Sequence, residues 1–354
     1  MSHGDRERGV DTRLIDLERL SGWMDEQGLP RGPLQEVELL GGGTQNILLK
    51  FKRGGMGFVL RRPPEHPRAN SDETMRREAR VLSAIADTGV PHPRFIAGCP
   101  RSDVLGACFY LMEPVEGFNP TTGLPDPHRS DPALRHAMGL ELIDAVVTLG
   151  AVDYREVGLE DFGKPQGYLE RQVERWRSQL DGYSTFAGYP GPDIPGVDRV
   201  AAWLTDNLPR QWSAGIIHGD YHLANVLYSY DGPRVAAIVD WELSTIGDPL
   251  LDLGWLLATW HDPDDPLGGL MLVTPWQGFP SPDELIARYR ERSVRDISAI
   301  DWYVVLACYK LGIILEGTHA RACAGEAQRS TGDLLHATTV GLFERALKRM
   351  ANTL

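Results

Sequence analysis

The feature that most constrains the fold is a pair of apolar runs, residues 216–217 and 237–239, each leading into polar residues. The first run is followed by Asp220 and then, in the pattern D-x-x-x-x-N, by Asn225. The second run ends in Asp240. Between the runs, Asp231-Gly232 is a strong hairpin signal. The segment therefore predicts an antiparallel ribbon that carries acidic and amide side chains.

The ribbon predicts which of these side chains converge. If Asp231 and Gly232 form the turn, Asp240 pairs opposite Leu223, two residues from Asn225, so Asn225 and Asp240 share a face. Pro233, directly after the turn, leaves open a register that differs by one residue. Oxygen ligands of this kind suit Mg²⁺, which keeps other positions for water and phosphate. With Asp220 left to orient a hydroxyl, the spacing matches phosphoryl transfer.

Composition excludes several other classes of protein. The 354 residues include 36 Lys and Arg against 49 Asp and Glu, a net charge of −13, which disfavours nucleic acid and membrane surfaces as partners. The four cysteines form no C-x-x-C pair, and the polar N-terminus has no secretory-type apolar stretch, so we expect a cytoplasmic protein with reduced thiols. The longest apolar segment, residues 302–315, is shorter than the roughly 20 residues of a spanning helix and predicts a core helix.

The order of predicted elements indicates an α+β chain in two lobes. Residues 1–32 predict an N-terminal arm and a short helix, and residues 33–114 predict a small antiparallel β-rich N-lobe. That lobe includes a helix that begins with Ser71 or Asp72 as its cap. Residues 115–354 predict a larger, mainly helical C-lobe.

Three segments together resemble a known family. They are HGDYHLANVL at residues 218–227, VDWE at residues 239–242 and GDPLLDLG at residues 247–254. They are similar to the aminoglycoside phosphotransferase and choline kinase-like superfamily, and the resemblance extends over about residues 33–325. Shorter segments, at residues 151–153, 158–163, 167–172 and 316–321, resemble the branch whose relatives include kinase domains associated with acyl-CoA dehydrogenases.

The resemblance implies a protein-kinase-like fold that uses ATP and Mg²⁺ to phosphorylate a hydroxyl of a small molecule. The branch implies a metabolite such as a hydroxy acid or hydroxyacyl thioester as the acceptor, and the wider family an aminoglycoside-like compound. Asp220 would be the catalytic base, and Asn225 and Asp240 the metal ligands. His218 and Asp252 would brace the catalytic loop.

The resemblance also implies nucleotide contacts in the N-lobe. The glycine-rich loop at residues 41–46 would cover the phosphates, because glycine lets backbone N–H groups approach closely. Its assigned residues are Gly42, Gly43, Thr44 and Asn46. Glu113 and Val115 would belong to the hinge, where backbone groups read the adenine edge.

A carboxylate on an apolar helix face predicts an ion pair. Glu78 lies in the stripe Met75, Glu78, Leu82 and Ile85 of the predicted helix. A buried carboxylate needs a partner. Arg61 or Arg62 is the candidate, and Arg61, which ends the predicted strand, stands where the kinase pattern V-A-I-K has lysine. Which arginine contacts the phosphates stays open.

Other interpretations remain at this stage. His218 and His222 have the spacing H-x-x-x-H, which would suit a zinc hydrolase on a helix, but Gly219 and the flanking strands favour a loop. A nucleotide-binding module without catalysis is the main alternative, although it would not need Asp220, Asn225 and Asp240 together. The role of Glu242, the identity of the acceptor, the choice between ATP and GTP and the oligomeric state stay open.

Overall fold

The computed structural model describes residues 15–41, 46–64, 70–263, 265 and 267–352. Contacts divide the chain into two units. The first runs to Glu116 and also takes in Val239–Glu242, and the second comprises Gly117–Ile238 and Leu243–Leu354. No helix within the described residues is long and apolar enough to cross a membrane.

The first unit is built on an antiparallel sheet. Its elements are α1 (Leu17–Glu26), β1 (Gln35–Leu39), β2 (Ile47–Arg53), β3 (Met56–Arg62), α2 (Ser71–Ala84), β4 (Phe95–Cys99) and β5 (Phe109–Met112). Within the described residues the sheet has five strands in the order β1-β2-β3-β5-β4. The order places β3, and with it Arg61, at the centre of the sheet.

Helix α1 is part of the hydrophobic core of this unit. Leu20, Trp23 and Met24 are buried against aromatic side chains of the strands, and the Trp23 and Phe109 rings meet edge to face at 4.7 Å. Burial of this size contributes about 2 kcal/mol for each large side chain. The short helix predicted near the N-terminus is therefore present and docked on the sheet.

Helix α2 begins where the sequence predicts it, but its predicted cap is wrong. Asn70 occupies the N-cap position, and its side chain makes no capping hydrogen bond. Asp72 instead accepts a hydrogen bond from the backbone N–H of Cys108 at 2.9 Å. The Asp72 carboxylate thus ties the helix to the segment that leads into β5.

The second unit is mainly helical. Its helices are α3 (Pro132–Ala151), α4 (Glu170–Gly182), α5 (Val197–Asp206), α6 (Leu250–Thr259), α7 (Pro282–Arg292), α8 (Ile300–Cys323) and α9 (Arg329–Asn352). Two short ribbons accompany them, β6 (Gly215–Ile217) with β9 (Thr245–Gly247) and β7 (Val226–Tyr228) with β8 (Val235–Ile238). Helix α8, predicted as a core helix, is buried along most of its length.

The hairpin register is partly as predicted. Tyr228 pairs with Val235, as a turn at Asp231-Gly232 requires, but an irregularity between Leu227 and Tyr228 shifts the register, and Val226 pairs with Ile238. The predicted pairing is therefore wrong by one residue beyond the irregularity, and the face-sharing argument for Asn225 and Asp240 fails. Asn225 lies in a 3₁₀ turn and Asp240 has a φ of 66°, so neither continues its strand.

Candidate active site

Asp220 lies in the loop that joins β6 to the 3₁₀ turn at Leu223–Asn225. Its Oδ1 accepts a hydrogen bond from Trp255 Nε1 at 2.9 Å and lies 3.2 Å from His222 Nε2. Its Oδ2 accepts from Asn225 Nδ2 at 3.0 Å, and the same amide nitrogen donates to the backbone oxygen of Asp220 at 2.9 Å. The structure therefore brings Asp220 and Asn225 together and fixes both side chains.

The surroundings of Asp220 keep it ionised. Burial alone would raise the pKa of Asp220, but the hydrogen bond with His222 and the electrostatic attraction of His222, His218 and Lys310 lower it to about 2. The carboxylate keeps partial access to solvent, with 27% of the side chain exposed. A carboxylate of this kind is charged at neutral pH and can accept a hydrogen bond from a hydroxyl group.

The backbone before Asp220 is held by a buried carboxylate. Asp252 accepts hydrogen bonds from the backbone N–H groups of His218 at 2.7 Å and Gly219 at 2.8 Å. Burial raises the pKa of Asp252 to about 6, against these bonds and the charge of Lys310. Gly219 has a φ of 85°, and a Cβ there would lie 2.5 Å from the Leu243 carbonyl oxygen. Only glycine fits this position without a shift of the Leu243 backbone.

The two histidines near Asp220 support the loop. His222 Nδ1 accepts the N–H of Ala224 at 3.2 Å, while its Nε2 faces Asp220. His218 is fully buried, and its Nδ1 accepts the N–H of Asp220 at 3.3 Å. Neither residue lies on an α-helix. These contacts give both rings structural partners within the loop.

Lys310 brings a positive charge to this loop from helix α8. Its Nζ donates to the Gly219 carbonyl oxygen at 3.1 Å and lies 4.3 Å from the centroid of the Trp255 ring. Burial lowers the pKa of Lys310 to about 8, although Asp220 and Asp252 act in the opposite direction. Lys310 therefore titrates much closer to neutral pH than an exposed lysine does.

Trp255 is a contact of Asp220 that the sequence analysis missed. It follows Asp252 by three residues on α6, which places the two side chains on the same face of the helix. Because Asp252 was expected to brace the loop, this spacing is the signal that could have identified Trp255.

In the first unit, Arg61 joins two carboxylates. Its Nε lies 2.8 Å from Glu78 Oε2, and its Nη2 lies 2.6 Å from Asp240 Oδ1. The predicted ion pair is thus made by Arg61. Arg62 instead directs its Nε to the Pro63 carbonyl oxygen at 3.2 Å. The structure groups Arg61, Glu78 and Asp240 in one charged cluster.

Glu78 is almost completely buried within this cluster. Tyr110 donates its hydroxyl hydrogen to Glu78 Oε2 at 2.8 Å, a contact that the sequence analysis did not predict. Burial raises the pKa of Glu78 to about 7, while Arg61 and Tyr110 act to lower it. The negative charges of Asp240 and Glu242 add to the increase. Arg61 and Tyr110 thus favour the charged form of Glu78, and burial opposes it.

The structure describes only some of the other residues that are predicted to contact the nucleotide. Gly42, Gly43 and Thr44 lie outside the described residues, and Asn46 directly precedes β2. Glu113 donates its backbone N–H to the Arg94 carbonyl oxygen at 2.9 Å, and its side chain lies 3.5 Å from Arg94 Nη1. Val115 follows in an irregular segment and is half-buried. A contact of the Glu113 backbone with a base would therefore use its carbonyl oxygen.

Comparison with known proteins identifies the family. The profile of the APH phosphotransferase enzyme family matches residues 36–291, which is most of the chain. The chain belongs to this family. A crystal structure from Ralstonia eutropha JMP134, provisionally described as an aminoglycoside phosphotransferase, has a TM-score of 0.77 and 31% identity. The match covers 94% of this chain and 99% of that one.

A more distant phosphotransferase shares the fold. A thermostable mutant of aminoglycoside phosphotransferase APH(4)-Ia, in a ternary complex with ADP and hygromycin B, has a TM-score of 0.54 and 15% identity. That match covers 90% of this phosphotransferase and 97% of that chain. The predicted α+β class and protein-kinase-like fold are confirmed.

A curated relative confirms the predicted branch of the family. Acyl-CoA dehydrogenase family member 11 of Gallus gallus is 31% identical over 327 residues, which are 90% of this phosphotransferase and 41% of that protein. The chain spans less than half the length of the curated acyl-CoA dehydrogenase relatives that it matches first.

Proposed function

We propose that this phosphotransferase transfers the γ-phosphoryl group of ATP to a hydroxyl of a small molecule, in a reaction that depends on Mg²⁺. The observation that carries the proposal is the Asp220 carboxylate, which is ionised, partly open to solvent and fixed by Trp255, His222 and Asn225. Phosphoryl transfer requires mainly positioning and charge neutralisation from the protein, and a fixed anion provides positioning for a hydroxyl.

In this mechanism Asp220 accepts a hydrogen bond from the acceptor hydroxyl and orients its oxygen towards phosphorus. A carboxylate whose pKa is about 2 is a weak base. It therefore takes the proton late, once the new oxygen–phosphorus bond has made the hydroxyl much more acidic. Lys310 lies beside the same loop and offsets part of the negative charge that collects there.

The chemistry of two side chains suits a magnesium ion, which prefers oxygen ligands. We propose that Asn225 and Asp240 contribute ligands, since the Asn225 amide nitrogen is engaged with Asp220 and leaves its oxygen as the donor to a cation. When bound, the ion neutralises phosphate charge and orients the γ-phosphoryl group. Arg61, held by Glu78, would contact the phosphates, and the loop with Gly42, Gly43, Thr44 and Asn46 would cover them. Glu113 and Val115 would receive the base.

Two of the relatives favour particular acceptors. The APH(4)-Ia complex contains ADP and hygromycin B, which supports a nucleotide and a small molecule as substrates. The acyl-CoA dehydrogenase relatives favour a metabolite such as a hydroxy acid or a hydroxyacyl thioester. We propose the metabolite class, because the acyl-CoA dehydrogenase relative is 31% identical to this chain and the hygromycin B complex 15% identical. The Ralstonia eutropha structure, also 31% identical, makes an aminoglycoside-like compound the second candidate.

The proposal is tested by incubating the protein with MgATP and a panel of hydroxy acids, hydroxyacyl thioesters and aminoglycosides, and by searching for phosphate gain by mass spectrometry. Asp220→Asn should lower turnover by about 10²- to 10⁴-fold with MgATP affinity preserved, because it removes the base and leaves the nucleotide contacts. Asp240→Asn should instead weaken MgATP binding, measured by calorimetry with and without Mg²⁺.

Asp296→Asn is the matched control for the Asp220 variant. Asp296 is an exposed aspartate whose oxygens accept the backbone N–H of Ser298 at 2.9 Å and its hydroxyl at 3.0 Å. Full activity of Asp220→Asn would contradict its role as the base. Tight MgATP binding without ATP consumption, with every acceptor, would favour the non-catalytic module instead.

A further inference from the structure

A cluster of metal-ligating side chains lies between helices α8 and α9. Glu316 and His319 are on α8, and His336 is on α9. Each offers one ligand atom, and these atoms all lie within 4.8 Å of one another. The two imidazole rings stack with their centroids 4.6 Å apart. Two histidines and a glutamate form a ligand set that zinc uses in proteins.

His319 is the residue of this cluster that indicates a cation position. Only 7% of its surface is exposed, and its Nδ1 has no hydrogen-bond partner among the described residues. Its Nε2 lies 3.7 Å from Cys323 Sγ, a contact that suits an Nε2–H donor and leaves the Nδ1 lone pair directed elsewhere. Buried polar atoms nearly always have a partner, so an unsatisfied nitrogen beside two other ligands indicates a cation position.

The other two ligands are already oriented. Tyr189 donates its hydroxyl hydrogen to Glu316 Oε1 at 2.7 Å, and His336 Nδ1 lies 2.8 Å from Glu316 Oε2. The Tyr189 hydrogen bond comes from outside the ligand set and fixes the direction of the Glu316 carboxylate. The contact between Glu316 and His336 joins two of the ligands, and a bound cation would replace the proton that they share. Asp333 adds a carboxylate oxygen 3.6 Å from His319 Nδ1. The cluster thus combines imidazole and carboxylate donors around one point.

Small side-chain rotations are enough to bring the ligand atoms of the cluster to the separations of a zinc site. Zinc–nitrogen bonds of about 2.0–2.1 Å place neighbouring tetrahedral ligands about 3.4 Å apart. The ligand atoms here lie within 4.8 Å before any ion is bound. His336 is half-buried and Asp333 is exposed, so an ion can reach the cluster from solvent.

The cluster is separate from the Asp220 loop. Lys310, which contacts that loop, is on the same helix α8, but at about 100° per residue Glu316 and His319 lie roughly 180–240° around the helix from it. Their face of α8 is the one that packs on α9, where Thr339 Oγ1 donates to the Gly312 carbonyl oxygen at 3.0 Å.

We propose that Glu316, His319 and His336 bind one Zn²⁺-type divalent cation that joins helices α8 and α9, with the Asp333 carboxylate beside the open fourth position. The ion supplies the partner that His319 Nδ1 lacks. It also links α9 to the core helix of the second unit by bonds stronger than the existing hydrogen bonds. The site holds no part of the nucleotide machinery and is independent of the proposed kinase reaction.

The test is a titration of the metal-free protein with Zn²⁺ in excess Mg²⁺, followed by calorimetry and thermal unfolding. Cobalt(II) serves as a coloured replacement, since its visible spectrum reports imidazole ligation. We expect one Zn²⁺ per chain and a higher Tm upon binding. His336→Gln and His319→Gln should each weaken binding at least tenfold, as loss of a ligand requires.

His136→Gln is the matched control. His136 Nε2 lies 3.1 Å from Glu284 Oε1, so it is also a histidine paired with glutamate, but on the surface. It should bind Zn²⁺ as the wild type does. Should His319→Gln fail to fold, the half-buried His336→Gln decides the question. Absence of Zn²⁺ binding in the wild type, unchanged affinity in His336→Gln, or an equal loss in His136→Gln would each overturn the proposal.

Discussion

Replacing Trp255 by phenylalanine removes one hydrogen bond to the proposed catalytic base. The Trp255 indole donates its Nε1–H to Asp220 Oδ1 at 2.9 Å, and its ring lies 4.3 Å from Lys310 Nζ. Phenylalanine keeps an aromatic face beside the lysine but has no donor. The variant therefore isolates the contribution of a single N–H group to the position of the carboxylate.

The expected effect follows from the charge of the acceptor. A hydrogen bond to an ionised group contributes about 1.5–3 kcal/mol, and each 1.36 kcal/mol is a tenfold change in rate. If the bond holds Asp220 in the reactive position, Trp255→Phe should lower kcat about 10- to 150-fold. MgATP affinity should be unchanged, because the indole donates to Asp220 and not to the residues proposed to hold MgATP.

Trp176→Phe provides a closely matched control. Trp176 is also buried, its Nε1–H donates to Gln172 Oε1 at 3.3 Å, and its ring lies 5.6 Å from Lys310 Nζ. Both variants lose the same volume beside the same lysine, so their unfolding free energies should fall by similar amounts. Turnover is followed as ADP formation with saturating MgATP and the acceptor found in the metabolite screen. Equal kcat values for the two variants would refute the role of the Trp255 hydrogen bond.

Two further predictions concern the same loop. Lys310 is protonated in the folded protein below a pKa of about 8, so kcat/KM should fall as the pH rises through that value when Asp220 loses its neighbouring positive charge. Lys310→Met should lack this alkaline limb and Lys310→Arg should move it to higher pH; an identical limb in Lys310→Met would contradict the assignment. Asp252→Asn replaces one of two acceptor oxygens by a donor, and should lower the unfolding free energy by about 1–3 kcal/mol in urea titrations at neutral pH. Unchanged stability would show that the backbone groups of His218 and Gly219 find other partners.

The ion pair between Arg61 and Glu78 could be predicted from the sequence because each of these residues belongs to a pattern of apolar residues. Glu78 interrupts an apolar stripe with helical spacing, and Arg61 ends a strand whose neighbours are apolar. A buried acidic residue needs a partner, and the basic residues on the neighbouring element are the available partners. The structure resolves the choice between the two arginines in favour of Arg61 for Glu78.

The register of the hairpin could be predicted from the sequence only in part. The turn at Asp231-Gly232 determines the pairing of Tyr228 with Val235, but the irregularity just beyond it, between Leu227 and Tyr228, has no local signature in the sequence. Contacts between elements that lie far apart in the sequence could not be predicted either. Tyr110 with Glu78 and Lys310 with Gly219 join segments that only the tertiary fold brings together.

The link between Arg61 and Asp240 bears on how a cation enters. Asp240 already has a counter-ion, a guanidinium nitrogen 2.6 Å away, so an incoming ion must displace an existing attraction. A free cation that binds Asp240 takes one of the two carboxylate partners of Arg61 away. A cation that is bound to a polyphosphate brings a phosphate oxygen, which can pair with Arg61 in place of the carboxylate. If Asp240 binds the proposed magnesium ion, this exchange would favour binding of the metal–nucleotide complex over binding of the free metal.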